Sequence, residues 1–140
     1  MQERRVVTSF LTHRGRILVL RRSQQVATHQ GRWAGVSGYL EETATPRQQA
    51  LREIEEETGL APWDVRLLAE GQPLEAEDPQ YDTRWRVFPF LWQVLDLTKL
   101  RTDWEHVESR WVRPEELAKL ETVPRLRETW QRVAPKSAAA

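Results

Sequence analysis

One helix is written into this sequence together with both of its ends, and it carries a charge pattern that an isolated helix resists. Thr45 is a side-chain N-cap, Pro46 suits the first helical position, and Gln48 stands where it completes a capping box. Gly59 stops the helix, because glycine takes the left-handed conformation that follows a helix end. Between those ends Ala50, Leu51, Ile54 and Thr58 share a stripe that can face a sheet. Glu53, Glu56 and Glu57, spaced i, i+3 and i+4, share the stripe beside it, and each like-charged pair at such spacing costs roughly 0.2–0.5 kcal/mol. Two readings account for this. One is a solvated acidic face in which Arg52 pairs with Glu56. The other is a site for a hard divalent cation such as magnesium or manganese, which prefers carboxylate oxygens and relieves the repulsion. A metal held there suits phosphate chemistry, where it bridges phosphate oxygens and activates water.

The rest of the chain alternates strands and turns. "VVTSFLT" (6–12) and "RILVLRR" (16–22) are β-branched or aliphatic runs joined by His13-Arg14-Gly15, a hairpin signature. "RWAGVSGYL" (32–40) reads as a short strand entering a loop, and 64–74 and 83–97 as further strands. Pro89 inside the last of these implies an edge or a bulge, since proline cannot donate to a ladder. "SRWV" (109–112) is a final strand, Pro114 starts a helix, and 123–133 reads as a C-terminal helix. The pattern predicts a single α+β domain over residues 1–134, with 135–140 a frayed tail.

Composition narrows the function classes. The 21 basic and 21 acidic residues cancel, which argues against a nucleic-acid polymer or an anionic membrane surface as partner. Cysteine is absent, so disulfides, thiolate metal sites and cysteine nucleophiles are excluded together. No apolar run is long enough to span a bilayer, and "MQERRVVTSF" lacks the apolar stretch of a signal peptide; the expectation is a soluble, cytoplasmic protein.

Read together, Gly38, Arg52, Glu53, Ile54, Glu56, Glu57, Gly59 and Leu60 resemble the Nudix box: a Gly, five residues, Glu, seven residues, then Arg-Glu-aliphatic-x-Glu-Glu-x-Gly-aliphatic. Eight of the nine defined positions match, and Ala44 stands where the box has its first Glu. The resemblance implies the Nudix fold, a mixed β-sheet sandwiched between helices, with the box as a loop-helix-loop. It implies Mg²⁺- or Mn²⁺-dependent hydrolysis of a nucleoside diphosphate linked to another moiety. Carried onto this chain, Glu56 and Glu57 are metal ligands, Glu53 is a ligand or the group that orients water, and Arg52 holds the carboxylates by charge-assisted hydrogen bonds. The backbone around Gly38 approaches the metal, where a side chain would obstruct it. Glu41 and Glu42 are near enough in sequence to compensate for Ala44. A non-catalytic nucleotide sensor with the same fold is the alternative.

Outside the box, Glu105 lies six residues before Trp111, ahead of the last strand. The resemblance makes it a ligand or general base, with Glu108 as a substitute and His106 as a loop residue. For substrate, Trp33, Tyr81, Trp85, Phe88 and Phe90 are base-stacking candidates, and Arg32 and Arg84 phosphate contacts. A nucleoside triphosphate, modified or ordinary, is the first expectation, with ADP-ribose and dinucleoside polyphosphates left open. Many relatives dimerise, so a homodimer is allowed, although nothing in the sequence requires one.

Overall fold

The computed structural model describes residues 1–101 and 106–136, apart from the Val107 side chain. β1 (Gln2–His13) and β2 (Arg16–Arg22) form the expected hairpin, with Thr12 paired to Ile17 and His13 to Arg16. Arg14 (φ 51°) and Gly15 (φ 78°) make its turn in the left-handed region that a tight hairpin requires. β1 then runs parallel to β7 (Thr83–Val94), in register from Gln2–Thr83 to Thr12–Gln93. The other neighbours are antiparallel: β3 (Trp33–Ala34) and β8 (His106–Val112) on β2, β4 (Val36–Tyr39) on β1, and β5 (Val65–Glu70) and β6 (Leu74–Asp78) on β7. The result is a mixed sheet with helical segments on both faces.

Both faces are covered, which explains why the central strands read as continuous apolar runs. Successive side chains point to opposite faces. Val7 and Leu11 of β1, Leu18 and Leu20 of β2, and Phe90 and Trp92 of β7 pack with Ala50 and Ile54 of α1 (Pro46–Thr58). Phe10, Ile17, Val19 and Leu91 instead pack with Leu117, Leu126 and Val133 from the C-terminal segment. Ile54 is fully buried, a contribution of about 1.5–3 kcal/mol from one side chain.

Pro89 sits in a central strand, at neither an edge nor a bulge of β7. Its carbonyl accepts from Gly71 N–H at 3.0 Å, so its nitrogen faces the same side, where β5 ends at Glu70 and β6 has not yet begun at Leu74. The missing donor meets a break in the partner ladder. The bulge lies in β5 instead, where the register shifts between Leu67 and Ala69. The C-terminal helix is also shorter than its periodicity suggests: α2 covers only Leu126–Gln131. Residues ahead of it bond to the sheet, with Trp33 N–H donating to Glu121 O at 2.9 Å and Val123 N–H to Trp33 O at 3.0 Å. The segment Pro114–Lys119 forms 3-10 turns rather than an α-helix.

α1 begins and ends where the sequence places it. Gln48 N–H donates to Thr45 Oγ1 at 3.1 Å, Thr45 N–H donates to Gln48 Oε1 at 3.0 Å, and Gly59 closes the helix at φ 77°. Thr45→Ala removes half of that reciprocal cap without touching the core. It is expected to cost about 1 kcal/mol and to lower Tm by about 3–5 °C in a thermal melt followed by circular dichroism.

Candidate active site

α1 and β4 meet where the box glycine Gly38 faces Glu53, the first box carboxylate that this chain retains. A Cβ added to Gly38 would overlap the Glu53 carboxyl group, so the absence of a side chain creates the space that Glu53 occupies. Gln49 fixes that carboxylate from within the helix. It is buried, donates through Nε2 to Glu53 Oε1 at 2.9 Å, and accepts from Glu41 N–H through Oε1 at 3.3 Å. One amide therefore ties the loop backbone to the Glu53 carboxylate, satisfying a buried polar group at both ends.

The three box glutamates occupy three environments. Glu53 is half-buried, Glu56 is exposed, and Glu57 is 2 % exposed at the base of the helix. His106, expected as a loop residue, opens β8 and is buried with Nε2 3.5 Å from Glu57 Oε1. Arg52 reaches back to the loop rather than along its helix, and its guanidinium donates to Glu41 Oε2 at 2.7 Å. Ala44 lies at the end of that loop, its N–H donating to Glu41 O at 3.2 Å. Among the described residues, no three His, Cys, Asp or Glu are drawn together as a closed metal cage. Glu105 lies outside the described residues.

Glu53 and Glu56 open into a cleft of about 320 Å³. Its floor is sheet: Val6 and Thr8 of β1, Ser37 and Tyr39 of β4, Ala76 of β6, and Trp85 and Val87 of β7. Arg22 and His29 complete one wall, and Val123 and Leu126 another. Tyr39 and Trp85 stack with centroids 6.1 Å apart and planes 28° apart, leaving half-exposed aromatic surface.

The other substrate candidates separate. Trp85 lines the cleft, whereas Tyr81 stands behind it, its hydroxyl accepting from His29 N–H at 3.0 Å. Trp33 and Phe90 are buried in the two cores, and Phe88 packs on the edge of one of them with Arg86 over its ring. Arg84 engages Glu3, Glu75 and Glu77 away from the cleft, and exposed Arg32 donates to Thr122 O at 3.2 Å. Sequence reasoning passed over Gln49, Asp78 and His29. For Asp78 a signal existed: Leu74, Ala76 and Asp78 alternate inward along β6, and an aspartate on a buried face demands a partner.

The fold is a mixed sheet with a carboxylate-bearing helix beside a cleft, close-packed where Gly38 meets Glu53. A NUDIX domain profile matches residues 2–133, and the chain belongs to the Nudix family of hydrolases. Enzymes of this family generally need divalent metal ions. Solved structures agree on the fold. A MutT protein from Methanosarcina mazei superposes with TM-score 0.78 at 23% identity, covering 94% of this chain and 93% of that one. The dihydroneopterin triphosphate pyrophosphohydrolase of E. coli gives 0.76 at 19% identity, covering 95% and 98%. A C. elegans Ap4A hydrolase gives 0.73 at 15% identity, covering 94% of each.

Gly38→Ala tests the close approach. The added methyl meets the end of a flexible side chain, so the fold yields by turning Glu53 aside. Expected is a loss of turnover of about 100-fold or more with a Tm within about 2 °C of the parent, read by steady-state kinetics and a thermal melt.

Proposed function

We propose that this chain hydrolyses a phosphoanhydride bond of a nucleoside triphosphate with Mg²⁺ or Mn²⁺, using Glu53 and Glu56 as the carboxylates nearest the reacting phosphate. The observation that carries this reading is that both glutamates enter the same cleft as Arg22 and the Tyr39–Trp85 pair. One cleft thus offers carboxylates to a cation, a guanidinium to phosphate and a flat apolar face to a base.

The donor set fits a hard cation. Glu53 and Glu56 bring carboxylate oxygens to the cleft beside Gly38, the donor type that such a cation takes. Glu57 and Glu105 complete the assigned set. When bound, the metal neutralises phosphate charge and makes water acidic enough to attack. Glu53, held by Gln49, then presents a fixed oxygen that accepts a proton from the attacking water or aligns it. Arg22 lines the wall and is assigned to phosphate; Arg52 is engaged by Glu41 and holds the loop beside the helix. Glu41 thereby brings a loop carboxylate to the box in a chain that has Ala44 four residues before Gln48.

Release of phosphate or pyrophosphate is to be measured over a panel of nucleoside triphosphates, ADP-ribose and dinucleoside polyphosphates, with Mg²⁺, with Mn²⁺ and with chelator. Metal-dependent turnover of a triphosphate is expected, and chelator should abolish it. Glu56→Gln, on an exposed helix position, should lower kcat by roughly 100-fold without changing the melt. Binding of a nucleotide with no hydrolysis under any metal would establish a sensor instead.

A further inference from the structure

Away from Glu53 and Glu56, the cleft is lined by a buried polar assembly that takes no part in the bond cleavage described above. His29 and Asp78 are both more than nine-tenths buried by side chain (8% and 5% exposed), and His29 Nε2 lies 2.7 Å from Asp78 Oδ2. Trp85 Nε1 donates to the same oxygen at 3.0 Å, and Tyr81 accepts from His29 N–H while its ring packs edge-on to the imidazole at 4.8 Å. His29 itself adopts φ 52°, in the left-handed region. Residues from the β2–β3 loop, β6, the turn Pro79–Tyr81 and β7 thus converge to hold one imidazole against the cleft.

A carboxylate only accepts, so the proton sits on Nε2 and the ring's other nitrogen, Nδ1, is an acceptor. Nδ1 has no hydrogen-bond partner among the described residues. Burial lowers the His29 pKa below the ordinary histidine value, outweighing Asp78; Arg22 and Arg32 lower it further. The ring is therefore neutral at neutral pH. An acceptor in this place suits a donor on the substrate and repels phosphate oxygen. Beside it lie the flat face of Trp85 and the apolar floor of Ala76 and Val87.

We propose that His29, held by Asp78, reads the exocyclic amino group of the nucleobase, and that this contact sets the enzyme's preference among nucleotides. The inference rests on the nucleotide reading above. Asp78, Tyr81 and Trp85 are positioning residues: they fix the tautomer and the ring.

The test compares matched substrates that differ by one amino group, ATP against purine riboside triphosphate and GTP against ITP, with Mg²⁺ and Mn²⁺. In the wild type the amino-bearing member of at least one pair should show a KM about tenfold lower, with similar kcat, because the amino group adds one hydrogen bond to the bound base. His29→Leu should close that gap by raising the KM of the amino-bearing member alone. His29→Gln retains both a donor for Asp78 and an acceptor for the base, so it should keep the gap. In the wild type, acidification should also close it. Below the lowered pKa the ring carries a second proton and becomes a donor, so the preference is present at neutral pH and lost as pH falls. The charged groups that face the ring during this change are Asp78, Arg22 and Arg32. Equal KM values within both wild-type pairs would overturn the proposal, as would a gap that survives His29→Leu. Should His29→Leu fail to fold, the pH series on the wild type and His29→Gln decide. Absence of hydrolysis for all four nucleotides with either metal would instead overturn the underlying reading of function.

Discussion

The molecule turns on the contact between a glycine and a glutamate. Gly38 lies on β4 and Glu53 on α1, and the space that a Cβ would fill is taken by the carboxyl group. That contact lets the helix lie close on the sheet while one of its charges points into a cleft rather than into water. Its surroundings hold the arrangement from three directions. Gln49 bonds the carboxylate and the Glu41 backbone, Arg52 draws the Glu41 side chain to the helix, and Ile54 anchors the other side of α1 in the core. A crowd of glutamates on one helix is unfavourable as a surface. Here they are distributed between a packed base, at Glu57, and an open cleft, at Glu53 and Glu56.

The cleft has two chemically distinct ends. One is acidic, built on a single helix and the glycine opposite it. The other is an imidazole–carboxylate pair supported by an indole and a phenol from different parts of the chain. Sheet side chains give the cleft an apolar floor, and Arg22, donating to Thr28 O at 3.0 Å, sets a positive charge beside the imidazole. This division matches a substrate with an anionic chain at one end and a flat heterocycle at the other. Under the proposed function, reaction and recognition rest on separate elements, so that one can vary without the other.

What could be read in advance follows how local the information is. The limits of α1 were legible because Thr45, Pro46, Gln48 and Gly59 act through neighbouring backbone groups alone. The hairpin at Arg14-Gly15 and the family resemblance through the box were legible for the same reason. Pro89 misled because its effect depends on what lies across the sheet, a gap between β5 and β6 that no local pattern reports. The 123–133 periodicity misled because Val123 N–H donates to Trp33 O, and Trp33 N–H to Glu121 O, which ties the start of the segment to the sheet. Arg52 pairs with Glu41, eleven residues away across a loop, rather than with its helical neighbour. His29 lies in the loop between β2 and β3 and Asp78 at the end of β6, 49 residues apart, and only the folded chain reveals them as a unit.

The central claim is that Glu53 and Glu56 together hold a divalent cation in the cleft. The most direct measurement is electron paramagnetic resonance of free Mn²⁺ titrated with protein, which reads metal binding without relying on turnover. The wild type should remove the free-ion signal saturably, and the Glu53→Gln/Glu56→Gln double variant, verified as folded, should bind at least about tenfold more weakly. Equal Mn²⁺ affinity in the two proteins would contradict the account and move the metal away from this helix.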